Sequence, residues 1–252
     1  KDNAYGLLLK SELEIIKKSR DYYLFHDHLE ENNTPVYFSQ FAEKMARYPL
    51  QYLGEADFHT MLSSGFSEEV RETLKRIAPD IIRAEQYMDF LRNRYFRQTL
   101  ICGKNLSLKR NLTPAALDGL LVAAHVKPEH NPVDLSPGVK ETFQSARKST
   151  LQTGRPLTKA ALVVLQEHWP QALKLDDLFR RIQEKLALHE PAQDINEENR
   201  KMLKKDLLQA YTINMVELHS HQPAFLRTIT ERPQLLPLAV YQIAKGRPVT
   251  NL

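Results

Sequence analysis

Ile81-Ile82-Arg83-Ala84-Glu85-Gln86-Tyr87-Met88-Asp89-Phe90-Leu91-Arg92-Asn93-Arg94-Tyr95-Phe96-Arg97-Gln98-Thr99-Leu100-Ile101-Cys102 is the stretch that decides the fold class. In it Ile81, Ala84, Met88, Leu91 and Tyr95 step by three, four, three and four positions, the spacing that stacks side chains on one face of an α-helix. Residues 96–102 then drop that period and fit a strand. A helix that hands over to a short strand predicts a mainly α protein with small β elements.

Toward the N-terminus the same alternation continues. Ser67 can cap a helix over 68–78, with Glu68 and Glu69 placed where the helix dipole favours acids. Residues 50–53 read as a second strand. Ser39 can cap a helix that runs to about Arg47, with Phe41 and Met45 on its inner face. Residues 36–38 read as a further short strand, and 4–32 as one or two helices with Leu8, Leu13, Ile16, Tyr23 and Leu29 near helical spacing.

Toward the C-terminus, 103–150 holds Pro114, Pro128, Pro132 and Pro137 and reads as a linker with one short helix opened by Thr113-Pro114. Three helices follow. The first covers 158–168, with Ala161, Val164 and Leu165 inward. The second covers 176–188, with Leu178, Phe179, Ile182 and Leu186. The third is capped by Asn196 and carries Leu203, Leu207, Ala210 and Tyr211. Residues 216–219 and 225–230 then read as a hairpin, the order of a winged helix. The expectation is an α+β chain: a helical domain with a short strand pair over 1–102, a linker over 103–150, and a winged-helix-like domain over 151–252.

The composition excludes several function classes. The eight glycines stand at 6, 54, 65, 103, 119, 138, 154 and 246. No two lie close enough for a methyl-donor or dinucleotide loop, a P-loop or a nucleophile elbow. The single cysteine, Cys102, excludes an internal disulfide framework and multi-cysteine zinc sites, and reads as an apolar residue. No apolar run is long enough to span a membrane and no signal peptide pattern opens the chain, so a cytoplasmic protein is expected. The net charge is +4, with 14 Lys/Arg against 16 Asp/Glu up to Cys102 and 21 against 15 beyond it. That spread, and a third C-terminal helix of mixed charge, disfavour nucleic-acid binding.

One cluster invites chemistry: Phe25-His26-Asp27-His28-Leu29-Glu30. On an α-helix His26 and Glu30 share a face and His28 points away. A metal would need a third ligand such as His219 or His221, so a hydrogen-bonded surface histidine is the plainer reading and no metal is assigned. Arg92-Asn93-Arg94-Tyr95-Phe96-Arg97 mixes basic and aromatic residues. It reads first as a helix C-terminus whose arginines suit the dipole, and second as a nucleic-acid contact.

Two stretches resemble a known family. Tyr23-Leu24-Phe25-His26-Asp27-His28-Leu29-Glu30 with Asn33, Pro35-Val36-Tyr37-Phe38, Phe41 and Leu50-Gln51-Tyr52-Leu53-Gly54-Glu55-Ala56 is similar to the predicted methyltransferase regulatory domain. Gln86-Tyr87-Met88-Asp89-Phe90 with Arg94-Tyr95-Phe96-Arg97-Gln98-Thr99-Leu100 resembles the end of that module.

The resemblance implies a region that follows a class I S-adenosylmethionine domain, as in bacterial protein-lysine methyltransferases, with a further C-terminal domain behind it. It implies no cofactor in these residues, S-adenosylmethionine in an upstream catalytic domain as partner, a protein substrate, and a role in substrate recognition or homodimerisation. Tyr23, His26, Glu30, Asn33 and Tyr37 are then the candidates for the face nearest the active site, with Gln86, Asp89 and Arg97 as second candidates of structural character. The chain opens at Lys1 without an initiator methionine and stops just after Gly246-Arg247-Pro248, which fits a piece of a longer polypeptide. The alternatives are a winged-helix nucleic-acid binder and an independent His/Glu metal enzyme.

Overall fold

The computed structural model describes residues 3–187, 195–222, 231 and 234–246. The chain divides into two compact units, Lys1–Leu108 and Lys109–Leu252. Helices dominate and the sheets are small, as expected for a mainly helical α+β chain.

In the first unit, α1 (Ala4–Lys18) starts at Asn3, whose side chain accepts the Gly6 N–H at 2.8 Å. A single turn, α2 (Asp21–Tyr23), runs into a π-helical turn over Leu24–His28. Helix α3 (Phe38–Met45) buries Phe38, Ala42 and Met45. Strand β1 (Leu50–Glu55) pairs antiparallel with β2 (Thr99–Gly103), with a register shift between Tyr52 and Gly54. A Cβ on Gly54 would sit 3.2 Å from the Met61 sulfur, a tight contact, so the bare position lets Met61 lie close against the bulge. Helix α4 (Glu68–Ile77) is capped by Ser67 as expected, and α5 (Ile81–Arg92) by Asp80. The apolar core is small: Phe38, Ala42, Met45 and Tyr52, backed by Leu50, Met61, Ile81 and Ile82.

Several expectations fail in this unit. Phe41, expected on the inner face of α3, is exposed, and Phe38 and Ala42 are buried there beside Met45. Residues 36–38 are not a strand. Phe38 opens α3, and the partner of β1 is β2. Of the apolar stripe of α5 only Met88 is buried; Leu91 is exposed within the helix, and Asn93 turns left-handed (φ 49°) and ends it. Tyr95 therefore lies 78% exposed instead of packed. The face that α5 buries is Glu85, Gln86, Met88 and Asp89, three of them polar.

In the second unit, α6 (Pro156–His168), α7 (Leu175–Ala187) and α8 (Glu197–Thr212) bury the residues their periodicity marks, including Ala161, Val164, Leu165, Leu178, Phe179, Ile182, Leu203, Leu207 and Ala210. Two three-stranded antiparallel sheets accompany them. One has the order β7 (Leu173–Lys174), β3 (Leu121–Ala123), β8 (Glu217–His219). The other has the order β4 (Val126–Pro128), β5 (Glu141–Ser145), β6 (Thr150–Thr153). Helix α9 (Pro237–Ala244) follows.

The linker expected over 103–150 is thus corrected from Lys109 onward. Leu117, Val122, Ala124, Val126, Leu135 and Phe143 are all in the core. Its strands hide from an apolar-alternation test because β5 turns Glu141, Phe143 and Ser145 inward, two of them polar. Strand β8 has β3 as ladder partner, an element that precedes the three helices. The expected return strand at 225–230 lies outside the described residues.

Candidate functional site

The segment carrying the first candidates differs from the helix expected of it. A π turn adds a residue to each closing hydrogen bond, with Leu29 N–H bonded back to Leu24 C=O at 3.0 Å. Leu29 then leaves helical geometry and Glu30 lies beyond the turn. The shared helical face expected for His26 and Glu30 is therefore absent. Instead the Tyr23 and His28 rings meet edge to face at 5.6 Å. His26, Glu30 and Asn33 are exposed. Tyr37, 59% exposed, starts α3: its N–H donates to Gln40 Oε1 at 2.9 Å, and its ring meets the exposed Phe90 ring of α5 at 5.7 Å. The five candidates thus lie along one exposed segment that joins α1 to α3.

The second candidates do converge. Gln86 Oε1 accepts the Ser39 N–H in the first turn of α3 at 3.0 Å. Arg97 places its guanidinium 3.7 Å from the centre of the Phe38 ring, donates to Glu85, and lies 3.4 Å from Glu55 and 3.6 Å from Asp89. Arg94 reaches Asp89 at 3.3 Å and donates to the Thr60 carbonyl at 2.9 Å. Arg92 donates to the carbonyls of Thr60 and Leu62. Glu55 also accepts from the Gln98 N–H and the Thr99 hydroxyl.

Burial pushes the Glu85 and Asp89 carboxyls above the ordinary carboxylate range, against the pull of Arg97 and Arg94. Three carboxylates and three guanidiniums therefore staple α5 to the β1–β2 ladder and to the turn at Thr60. This corrects the reading of the 92–97 arginines as a dipole-facing or nucleic-acid-facing cluster. It also adds Glu55, Glu85 and Arg94, which the sequence reading missed. The available signal was the pair of acids at 85 and 89, one helical turn apart, followed by three arginines within six positions.

Exposed apolar side chains are numerous in the first unit. Helix α1 buries none of its residues, and Leu7, Leu8, Leu9, Leu13 and Ile16 are exposed. Tyr22, Phe25, Leu29, Val36 and Phe90 are exposed as well.

Among the described residues no three His, Cys, Asp or Glu side chains are placed to share a metal ion. His219 ends β8, 3.4 Å from Glu217, so His221 lies beyond the strand and the two do not share a strand face. No described helix is long and apolar enough to cross a membrane. The described residues do not fit a class I methyl-donor pocket. Every described strand pair is antiparallel, and the left-handed glycines 119, 138 and 246 stand far apart instead of in one strand-to-helix loop.

Residues 20–103 match the predicted methyltransferase regulatory domain. Over 98% of its length the chain is 32% identical to "Uncharacterized protein RP789" of Rickettsia prowazekii (strain Madrid E), of which it covers 45%. A second protein of that organism, "Uncharacterized protein RP027", is 24% identical over 66% of the chain. Among solved structures, PKMT2 from Rickettsia typhi in complex with AdoHcy superposes on 99% of this chain with a TM-score of 0.80 and 26% identity, and the chain covers 47% of it. PKMT2 from Rickettsia typhi in a second structure gives 0.79 and 27%. The chain spans about half the length of RP789 and of PKMT2.

Proposed function

With a methyltransferase regulatory domain matched at residues 20–103, we propose that this chain is the non-catalytic, substrate-recognition region of an S-adenosylmethionine-dependent methyltransferase that acts on protein lysines. The observation that carries the reading is one of coverage. Nearly all of this chain aligns with less than half of PKMT2, a protein crystallised with AdoHcy, while the described residues do not fit a donor pocket. In this reading the donor site lies in the portion of the longer polypeptide that this chain does not span. The exposed apolar residues of α1 and of the segment before α3 pack against that portion. Tyr23, His26, Glu30, Asn33 and Tyr37 then face the acceptor side of the joint site, and the buried staple keeps Tyr37 and Phe90 in place.

The test is methyl transfer by the longer polypeptide from labelled S-adenosylmethionine to a lysine-rich protein substrate. His26→Ala and Glu30→Ala should lower turnover without moving the melting temperature, since both side chains are exposed here. Unchanged kinetics in both variants would remove them from the acceptor side. Transfer to nucleic acid in preference to protein would overturn the assignment of substrate.

A further inference from the structure

In the second unit, residues 129–140 join β4 to β5. Most of this loop is exposed, and two covered charges hold it. Glu141, at the start of β5, turns inward with its side chain 4% exposed. Its Oε1 accepts the Asp134 N–H at 3.0 Å, and its Oε2 lies 3.0 Å from His130 Nδ1. Lys159 of α6, fully buried, donates to the carbonyls of Asp134, Ser136 and Val139 at 2.6, 2.8 and 2.9 Å. The Gly138 N–H donates to the Gly154 carbonyl at 3.0 Å.

The two charges answer to pH differently. Three carbonyls around Lys159 are all matched only by the ammonium, which carries three N–H donors. The His130 side chain is 65% exposed, so its proton exchanges with solvent. The hydrogen bond to Glu141 and that carboxylate's charge hold His130 above the ordinary imidazole range, and Glu129 adds to them. The same bond and the Asp134 N–H hold Glu141 below the ordinary carboxylate range against burial, with Lys159 assisting. Asp134 acts in turn on Lys159. The ion pair therefore exists between the lowered Glu141 midpoint and the raised His130 midpoint, and is lost as pH rises through the latter. Above it, the covered Glu141 charge keeps the Asp134 N–H and the pull of Lys159 but no cation in direct contact. Water at that carboxylate then becomes favourable, and residues 130–134 must yield to admit it.

We propose that residues 129–140 are a pH-gated clasp, shut on Glu141 while His130 is a cation and loosened over 130–134 once His130 is neutral, with Lys159 holding 134–139 in both states. The proposal stands on residues of the second unit and does not depend on the methyl-transfer reading.

The test is amide exchange by NMR on the 252-residue chain from about pH 6 to about pH 9, the span in which a raised imidazole titrates. Each rate is expressed as protection relative to an unstructured amide at the same pH, and the His130 ring is titrated in the same samples. Protection of the Asp134 N–H should fall about fivefold with the midpoint of His130. The Gly138 N–H should keep its protection throughout. His130→Gln, at an exposed position, should leave the Asp134 N–H weakly protected and remove the pH dependence. Steady protection at Asp134 across the range, a fall at a pH apart from the His130 midpoint, or the same fall in His130→Gln would overturn the proposal.

Discussion

Replacing Arg97 by alanine should destabilise the first unit by about 3–5 kcal/mol, the range for removing one partner of a buried ion cluster. The magnitude follows from what is left behind. Glu85 is 1% exposed and loses its donor, Glu55 and Asp89 lose a neighbouring cation, and the Phe38 ring loses the guanidinium above it. The apolar core of this unit has only four buried residues, so little else compensates. A loss of this size takes much of the roughly 5–15 kcal/mol that a domain has in hand.

The deficit should depend on pH, with a sign that can be worked out. A carboxyl whose folded pKa is raised binds its proton more tightly folded than unfolded. It therefore penalises folding above that raised pKa and relieves the penalty as pH falls through it. Glu85 and Asp89 are raised by burial even with Arg97 present, and removing the cation raises them further. Urea unfolding followed by circular dichroism from pH 8 down to pH 5 should show the gap between Arg97→Ala and the parent chain narrowing as pH falls. Amide exchange should locate the loss in β1, β2 and α5. A deficit under about 1 kcal/mol, the scale of an exposed pair, or one independent of pH, would refute the reasoning.

Other outcomes follow from separate features. Lys159 is fully buried, with its ammonium donating to the carbonyls of Asp134, Ser136 and Val139; Lys159→Met should cost about 3–5 kcal/mol in thermal melts, because three acceptors lose their donor at once. The hydrogen bond to Glu141 holds His130 above the ordinary imidazole range, so its NMR titration midpoint should fall toward that range in Glu141→Gln. Its stabilising contribution is present at low pH and is lost as pH rises through the elevated midpoint. Phe143→Ala should cost about 3–5 kcal/mol by chemical denaturation, since the ring is wholly buried. Leu13→Lys on α1 should change stability by under about 0.5 kcal/mol while raising solubility, because that helix buries none of its residues within the chain.

Much of the helical architecture was legible because caps and apolar periods coincide. Ser67 before α4, Asn196 before α8, and the inward leucines of α7 are each fixed by local rules. The parts that were not legible involve polar residues doing the packing of apolar ones. On α5 the inward face is acidic because arginines beyond the helix end fold back onto it, a pairing no local period reveals. In β5 a glutamate takes an inward place because His130 and the Asp134 N–H bond it there. The π turn at 24–28 moved Glu30 off the face of His26, and nothing in the spacing of those residues distinguishes a π from an α turn. Gln86, Asp89 and Arg97 were legible through resemblance, whereas their joint burial required the fold.

The most direct measurement is titration calorimetry of S-adenosylmethionine into the 252-residue chain and, in parallel, into the longer polypeptide that carries the unspanned portion. The account predicts a saturable heat with the longer polypeptide and none with the chain alone. Saturable binding by these residues by themselves would contradict it, because the donor site would then lie within this chain.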